Sequence, residues 1–160
     1  MEISILAVGR LKSGPESELC ARYLERARKT GRGLGFRGFA VHELPESRNA
    51  RMAERIGHED EALLSACARG GRTLCLHAGG DLIDSEGFAA GLSGDAAAAI
   101  PHTTFVIGGP DGLGDRVKAS ADRLISFGRV TWPHQIVRIL LAEQLYRTMT
   151  ILSGHPYHRA

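Results

Sequence analysis

Short apolar runs alternate along the whole chain with segments of helical periodicity. The runs are rich in β-branched residues and end at glycine or proline, which is typical of strands. They predict five strands, at residues 3–8, 36–44, 72–77, 103–107 and 124–127. Between and after them the pattern predicts five helices, at residues 15–29, 47–68, 85–92, 115–121 and 133–152. This alternation favours an α/β fold, a mostly parallel sheet flanked by helices, in a single domain over residues 1–160.

The same pattern predicts local details of three elements. Residues 78–81 follow the third strand, and their Ala-Gly-Gly-Asp composition predicts a turn there. Ser85 is the expected N-cap of the third helix, with Glu86 in its first turn. The second helix is expected to bury one stripe of side chains. That stripe comprises Ala53, Ile56, Leu63 and Cys67.

The last helix is apolar around nearly its whole circumference. Because such a helix is buried on every side, we expect one face to pack on the sheet and another on a second copy of the chain. Arg138 projects from the apolar arc and needs a partner there, either in a structural ion pair or in a substrate. Glu143 and Arg147, four residues apart, are spaced for an ion pair along the helix.

Composition and charge alone exclude few classes of function. The 160 residues are 43% hydrophobic and 24% charged, as in ordinary globular proteins, and the net charge of +2 is too small to indicate nucleic-acid binding alone. Arg48, Arg51 and Arg55 recur at helical spacing. They form either a phosphate-facing surface or a solvated helix face.

Cysteine usage and hydropathy favour a cytoplasmic protein. Cys20, Cys67 and Cys75 are odd in number and lack a CxxC pair, so we expect reduced thiols and neither a disulfide framework nor a zinc site. The first apolar run has no charged lead-in and is interpreted as a strand rather than a signal peptide. No run approaches the roughly 18 apolar residues that a membrane span needs.

A glycine-rich turn, IGGPDGLG at residues 107–114, follows the fourth strand. It lacks the Gly-Lys-Ser/Thr of a P-loop and the spacing of a GxGxxG motif. Ligands in open α/β sheets lie beyond the carboxyl ends of strands, and paired glycines let backbone approach a flat ligand closely. The turn is therefore either a ligand contact or simply a tight strand-to-helix connection.

The chain ends in HPYHRA, which has no acidic residue. Tyr157 could stack on a base, Arg159 could pair with a phosphate or a developing anion, and His158 could move a proton near neutral pH. The alternative is a polar tail without a role. The two histidines lack the further ligands that a metal site requires, so no metal is expected.

Taken together, IGGPDGL, then SFGRVTWPHQIVRILLAEQLYRT, then HPYHR resemble the bacterial ribosomal RNA large subunit methyltransferase H family. The opening ISILAVGRLK is similar to the first strand of that family, and the resemblance covers nearly the whole chain. It implies the SPOUT class, with a trefoil knot near the C-terminus, S-adenosylmethionine as methyl donor, and a homodimer. Pattern reasoning alone could not suggest the knot, because chains are unknotted by default.

The resemblance also implies a reaction, namely methylation of the N(3) imide nitrogen of a pseudouridine in helix 69 of 23S rRNA on the assembled ribosome. In this reaction His158, or the ribosomal surroundings, would accept the imide proton, and Arg159 or Arg147 would stabilise charge on the uracil edge. A composite site that uses the tail of the neighbouring subunit fits this arrangement. Ala160 departs from the family, which has an acid at this position, so the terminal side chain is given no role.

Site residues are carried over from the family by position. Arg147 is expected to contact RNA, as is Arg138 if it has no structural partner, and the tail residues Tyr157, His158 and Arg159 form the catalytic group. The residues expected to hold the methyl donor are Leu76, Gly108, Phe127, Gly128, Arg129, Val130, Thr131 and Trp132.

Two other functions remain open at this point. One is a non-catalytic ribosome-binding protein of the same fold. The other is a small α/β enzyme that uses a different nucleotide-like ligand at the glycine turn.

Overall fold

A computed structural model describes residues 1–67 and 70–158. All strand pairings in the five-stranded sheet are parallel, and the strand order is β2-β1-β4-β3-β5. The strands are β1 (Glu2–Val8), β2 (Gly38–Leu44), β3 (Arg72–Leu82), β4 (His102–Ile107) and β5 (Arg123–Ser126). The helices are α1 (Pro15–Gly31), α2 (Met52–Ala66), α3 (Ser85–Ala97), α4 (Asp115–Ser120) and α5 (His134–Ser153), with a 3-10 turn at Arg32–Leu34. The predicted parallel α/β sheet flanked by helices is confirmed.

Helices cover both faces of the sheet, because side chains alternate between the two sides of each strand. On β1, Ile3 and Ile5 pack into one hydrophobic cluster with residues of α1, α3 and α5. Leu6 and Val8 point the other way, into a smaller cluster with residues of α2 and α4. A parallel sheet buried on both faces needs strands that are nearly continuously apolar, which is the pattern of β1 and β4.

Strand β3 continues through the segment that was predicted to be a turn. It reaches Leu82, and its register against β5 shifts between Leu76 and Asp81. A Cβ on Gly80 would lie 2.7 Å from the backbone of Leu124, so this glycine lets β5 approach closely. The glycines that suggested a turn therefore lie at an irregularity in the pairing of β3 with β5.

One predicted N-cap and one predicted helix start are wrong. Helix α3 is capped by Asp84, whose carboxylate accepts a hydrogen bond from the Gly87 amide at 2.7 Å, and Ser85 is already inside the helix. Helix α2 begins at Met52 rather than residue 47 and runs without a break through Gly57. Its predicted core stripe is wrong at Ala53, which is exposed, and the buried residues of α2 are Glu59, Asp60 and Leu63.

Helix α5 packs between α1 and α3 against the sheet. Leu141, Leu145 and Met149 are fully buried on this face. Other apolar side chains of α5 remain only half-buried in the single chain, namely Ile136, Ile139, Leu140, Ile151 and Leu152. These leave apolar surface for a second copy of the chain. The homodimer, the trefoil knot and the single domain remain predictions.

Arg138 has a structural partner, so its expected contact with RNA is wrong. Its side chain is 1% exposed, and Nη1 lies 2.5 Å from Glu43 Oε1. Nη2 donates to the carbonyl oxygens of Val8 and Gly9. This guanidinium ties the first half of α5 to the carboxyl ends of β1 and β2. An enclosed guanidinium with these partners has no surface to offer a nucleic acid.

Among the described residues, no helix is long and apolar enough to cross a membrane.

Replacement of Arg138 by Met is expected to lower the free energy of unfolding by about 2–4 kcal/mol, because two buried carbonyls and Glu43 lose their partner. Glu43 is 29% exposed, so water screens its leftover charge and the loss stays below that of a fully buried pair. Arg51→Met is the matched control, since Arg51 is 84% exposed beside Glu54, and it should change stability by under about 0.5 kcal/mol. Urea denaturation at one fixed protomer concentration measures both. Equal stability of the two variants would contradict the anchoring role.

Candidate functional site

Three separate segments of the chain line one cavity at the carboxyl edge of the sheet. The cavity has a volume of about 600 Å³, within the range of ligand sites. Its walls come from residues 76–78 within β3, from the ends of β4 and β5 with the loops that follow these two strands, and from the start of α5. The lining residues are 76–78, 107–110, 112–113, 125–128, 130–134 and 137.

The glycine turn after β4 folds tightly on itself. The Gly112 amide donates to the Gly109 carbonyl at 2.9 Å, and Gly112 has a φ of +83°, in the left-handed region that favours glycine. A Cβ on Gly108 would lie 2.6 Å from the carbonyl carbon of Gly112, which leaves no room for a side chain. The turn is thus a tight connection that also presents bare backbone to the cavity, and its contact with a ligand remains a prediction.

Ser126, at the end of β5, links β3 to the loop after β5. Its hydroxyl lies 2.8 Å from the Gly128 carbonyl oxygen and 3.3 Å from that of Ala78, and the Gly128 amide donates to it at 3.3 Å. Ser126 is 2% exposed. A single buried hydroxyl therefore holds β3 and this loop in register. Sequence reasoning assigned Ser126 no role, although it begins the SFGRVTW motif that carries the resemblance.

The cavity contains most of the residues expected to hold the methyl donor. Leu76, Gly108 and five residues of the 127–132 loop line it. Arg129, in that loop, is exposed and does not line the cavity. Val130 and Trp132 are 58% and 42% exposed, which places apolar side chains at the mouth.

Further lining residues were missed by sequence reasoning. His77 lies in the wall, and its Nδ1 accepts the Gly79 amide at 3.1 Å. Pro133, His134 and Val137 contribute from the start of α5. The signal was present in the Trp-Pro-His helix start, but its position beside the glycine turn depends on tertiary structure.

A second cavity of about 420 Å³ adjoins the first, and Phe127 and Trp132 line both. His158 lies in its wall, with Nε2 2.9 Å from Glu86 Oε1. Within the described chain, His158 Nδ1 is buried and has no hydrogen-bond partner. The tail histidine is therefore separated from the first cavity by two aromatic side chains of the same chain.

The other described tail residue, Tyr157, packs against α5. Its hydroxyl donates to Glu143 Oε1 at 3.2 Å, and its ring contacts Tyr146 with a centroid distance of 4.6 Å. Burial, then a hydrogen bond with Tyr23 and the charge of Glu143, raise the pKa of Tyr157. The phenol stays protonated at neutral pH, so it can donate or stack but cannot act as a base.

Arg147 forms the ion pair that its spacing predicted. Its Nη2 lies 2.5 Å from Glu143 Oε1, and its guanidinium stacks over the Tyr157 ring at 5.1 Å. The hydrogen bond with Glu143 raises the pKa of Arg147. The side chain keeps 27% of its surface exposed, so its contact with RNA remains a prediction. Arg159, the third catalytic expectation, and Ala160 lie outside the described residues.

Nucleophilic thiol and metal chemistry have little support among the described residues. Cys20, Cys67 and Cys75 are free, and burial raises the pKa of Cys75 to about 12. In residues 1–67 and 70–158, no group of three or more His, Cys, Asp or Glu side chains is arranged to hold a metal ion.

Comparison with known proteins places these features in a family. Residues 1–158 match the family described as predicted SPOUT methyltransferase. Proteins named ribosomal RNA large subunit methyltransferase H from Rhodopseudomonas palustris strain BisA53 and Bradyrhizobium sp. strain BTAi1 are 47% and 51% identical over 160 residues, which is the full length of both chains in each pair.

A solved structure shares the fold. The crystal structure of a probable methyltransferase from Bordetella pertussis Tohama I has a TM-score of 0.50 and 12% identity, and the match covers 92% of this chain and 95% of that one. At this identity the likeness concerns the fold alone. The family match and the full-length relatives confirm the resemblance found in the sequence, and the chain belongs to the SPOUT methyltransferase family, among the proteins named ribosomal RNA large subunit methyltransferase H.

Proposed function

We propose that this protein transfers a methyl group from S-adenosylmethionine to ribosomal RNA. The observation that carries the proposal is the convergence of β3 and of the loops after β4 and β5 on one cavity, with Leu76, Gly108 and the 127–132 loop in its walls. The names of the full-length relatives support RNA of the large ribosomal subunit as the substrate. The cytoplasmic location expected from the sequence fits that substrate.

The residues in the cavity fit this methyl donor. S-Adenosylmethionine supplies an activated methyl group on a sulfonium, so the protein must bind and orient it. The apolar side chains of Leu76, Phe127 and Trp132 suit a flat adenine ring. Gly108 and Gly112 have no side chain to cover the backbone of the turn. A larger residue does not fit at position 108, because a Cβ there would collide with the turn. Backbone amides and carbonyls can then read the donor without a charged side chain.

The finer substrate assignment is the N(3) imide nitrogen of a pseudouridine in helix 69 of 23S rRNA on the assembled ribosome. The N–CH₃ bond forms as the bond from that methyl to sulfur breaks, and the imide proton must leave. His158 is the acceptor in this scheme. Because Nε2 lies 2.9 Å from Glu86 Oε1 and Nδ1 is buried, His158 must reorient with the tail before either nitrogen can take the proton.

Charged and aromatic neighbours complete the scheme. Arg147 and Arg159 stabilise the negative charge that builds on the uracil edge, and Tyr157 stacks or donates in its protonated form. Glu143 holds Arg147 beside Tyr157, which fixes the direction of the guanidinium. The protein acts as a homodimer, which the half-buried apolar side chains of α5 support. A tail from the second subunit can then complete each site.

The substrate is tested in cells. Without this gene, mass spectrometry of 23S rRNA is expected to show the helix 69 fragment lighter by one methyl group, and a restored copy should return it. Purified protein that binds ribosomes but transfers no methyl would instead indicate a non-catalytic ribosome-binding protein. Binding of another nucleotide in place of S-adenosylmethionine, measured by calorimetry, would indicate a different small α/β enzyme.

The proton acceptor is tested with His158→Ala. Single-turnover methyl transfer to ribosomes is expected to fall about 10²-fold, as for loss of a general base, while affinity for the donor is retained. The pH–rate profile should also lose the inflection that a deprotonating base produces. His58→Ala is the control, because His58 is exposed on α2. Unchanged turnover of His158→Ala at every pH would assign the acceptor to the ribosomal surroundings.

A further inference from the structure

Helix α2 points three charged side chains at the back of the glycine turn. Arg55, Glu59 and Asp60 are spaced i, i+4 and i+5, so they lie on neighbouring positions of one side of the helix. Glu59 and Asp60 are 4% and 3% exposed. Burying a carboxylate is costly unless it is hydrogen-bonded, so two adjacent buried acids require a reason.

Asp60 holds the end of the turn. Its Oδ1 accepts the Gly114 amide at 2.9 Å, in a buried hydrogen bond. A Cβ on Gly114 would lie 2.2 Å from Asp60 Oδ2. Only a glycine at this position lets the carboxylate come so close. The residue immediately before α4 is thus fitted to an acid that lies 54 residues earlier in the chain.

Arg55 holds the apex of the turn. Its Nε and Nη2 donate to the two carboxylate oxygens of Asp111 at 2.7 and 3.2 Å, a bidentate pair with fixed geometry. Its Nη1 donates to the carbonyls of Asn49 and Ala50. The hydrogen bond from Arg55 lowers the pKa of Asp111, so the pair stays charged at neutral pH. This use of Arg55 removes it from the phosphate-facing surface considered for Arg48 and Arg51.

Glu59 supports the start of the turn and the segment after β2. Its Oε1 accepts the Ser47 amide at 2.8 Å. Its Oε2 lies 3.1 Å from where a Cβ of Gly109 would be, and Gly109 lines the cavity. Helix α2 therefore bonds to the turn at its apex and end and lies close against its start, through side chains that do not line the cavity.

We infer that Arg55, Glu59 and Asp60 are positioning residues that hold the glycine turn in the shape the methyl donor requires, so donor affinity depends on them. This inference rests on the proposed function. None of the three lines the cavity, so they act through the backbone of the turn. The turn contacts the donor and not the proton acceptor, so its loosening should weaken binding and spare the chemical step.

The test is calorimetry with S-adenosylmethionine on the full chain. Arg55→Gln and Asp111→Asn are each expected to raise the donor Kd about tenfold, and the double variant should be no weaker than either, because the two residues act as one pair. Turnover at saturating donor should stay within about twofold of wild type. Asp60→Ala should weaken binding similarly, whereas Asp60→Asn, which keeps an acceptor oxygen, should restore it to within about threefold.

Arg51→Gln is the matched control, since the Arg51 side chain lies at the same helix end, is 84% exposed and pairs with Glu54. Should Asp60→Ala not fold, Arg55→Gln and Asp60→Asn carry the test. Donor affinity unchanged in every variant, with a wild type that binds, would overturn this inference alone. A wild type that does not bind the donor would overturn the proposed function as well.

Discussion

Strands β4, β3 and β5 are neighbours in that order and run in the same direction, so the segments that leave their carboxyl ends emerge side by side. The candidate site depends on this constraint. Leu76, Gly108 and Phe127 are far apart in sequence and meet only because their strands pair. Ser126 then connects β3 to the loop after β5 through one buried hydroxyl, and α2 braces the loop after β4 from behind. The cavity results from the order of the strands in the sheet and from the absence of a side chain at Gly108.

The same edge of the sheet is stabilised by α5. Arg138 joins this helix to the ends of β1 and β2, and Leu141 and Leu145 bury it against the sheet. Because α5 begins at the wall of the first cavity and ends at the tail, it fixes the distance between that cavity and His158. Stability and site geometry therefore share one element. A charge buried in an apolar arc is explained by its anchoring role rather than by contact with substrate.

Most of the fold could be predicted from the sequence, since four of the strands are compact apolar runs whose ends match within about two residues. The extension of β3 could not, because Ala-Gly-Gly-Asp has the composition of a turn and only pairing with β5 keeps it extended. Periodicity likewise placed Ala53 in the core and overlooked Glu59 and Asp60. Helical periodicity treats acidic residues as exposed to solvent. The partners of Glu59 and Asp60 lie in distant segments of the chain.

The candidate site was predicted by resemblance to a family more than by pattern. Residue types alone left the glycine turn and the tail ambiguous, and the partner of Arg138 lies 95 residues away. Ser126, His77 and the two buried acids of α2, Glu59 and Asp60, were missed because a single polar residue forms no spacing pattern. Their roles follow only from distances in the folded chain.

Amide hydrogen exchange, with and without S-adenosylmethionine, tests most directly whether β3 and the loops after β4 and β5 form one donor site. Saturating donor is expected to slow exchange together in residues 76–80, 108–113 and 127–132, with little change in α1 or β2. Protection in only one of these three segments, or in none of them, would contradict the account.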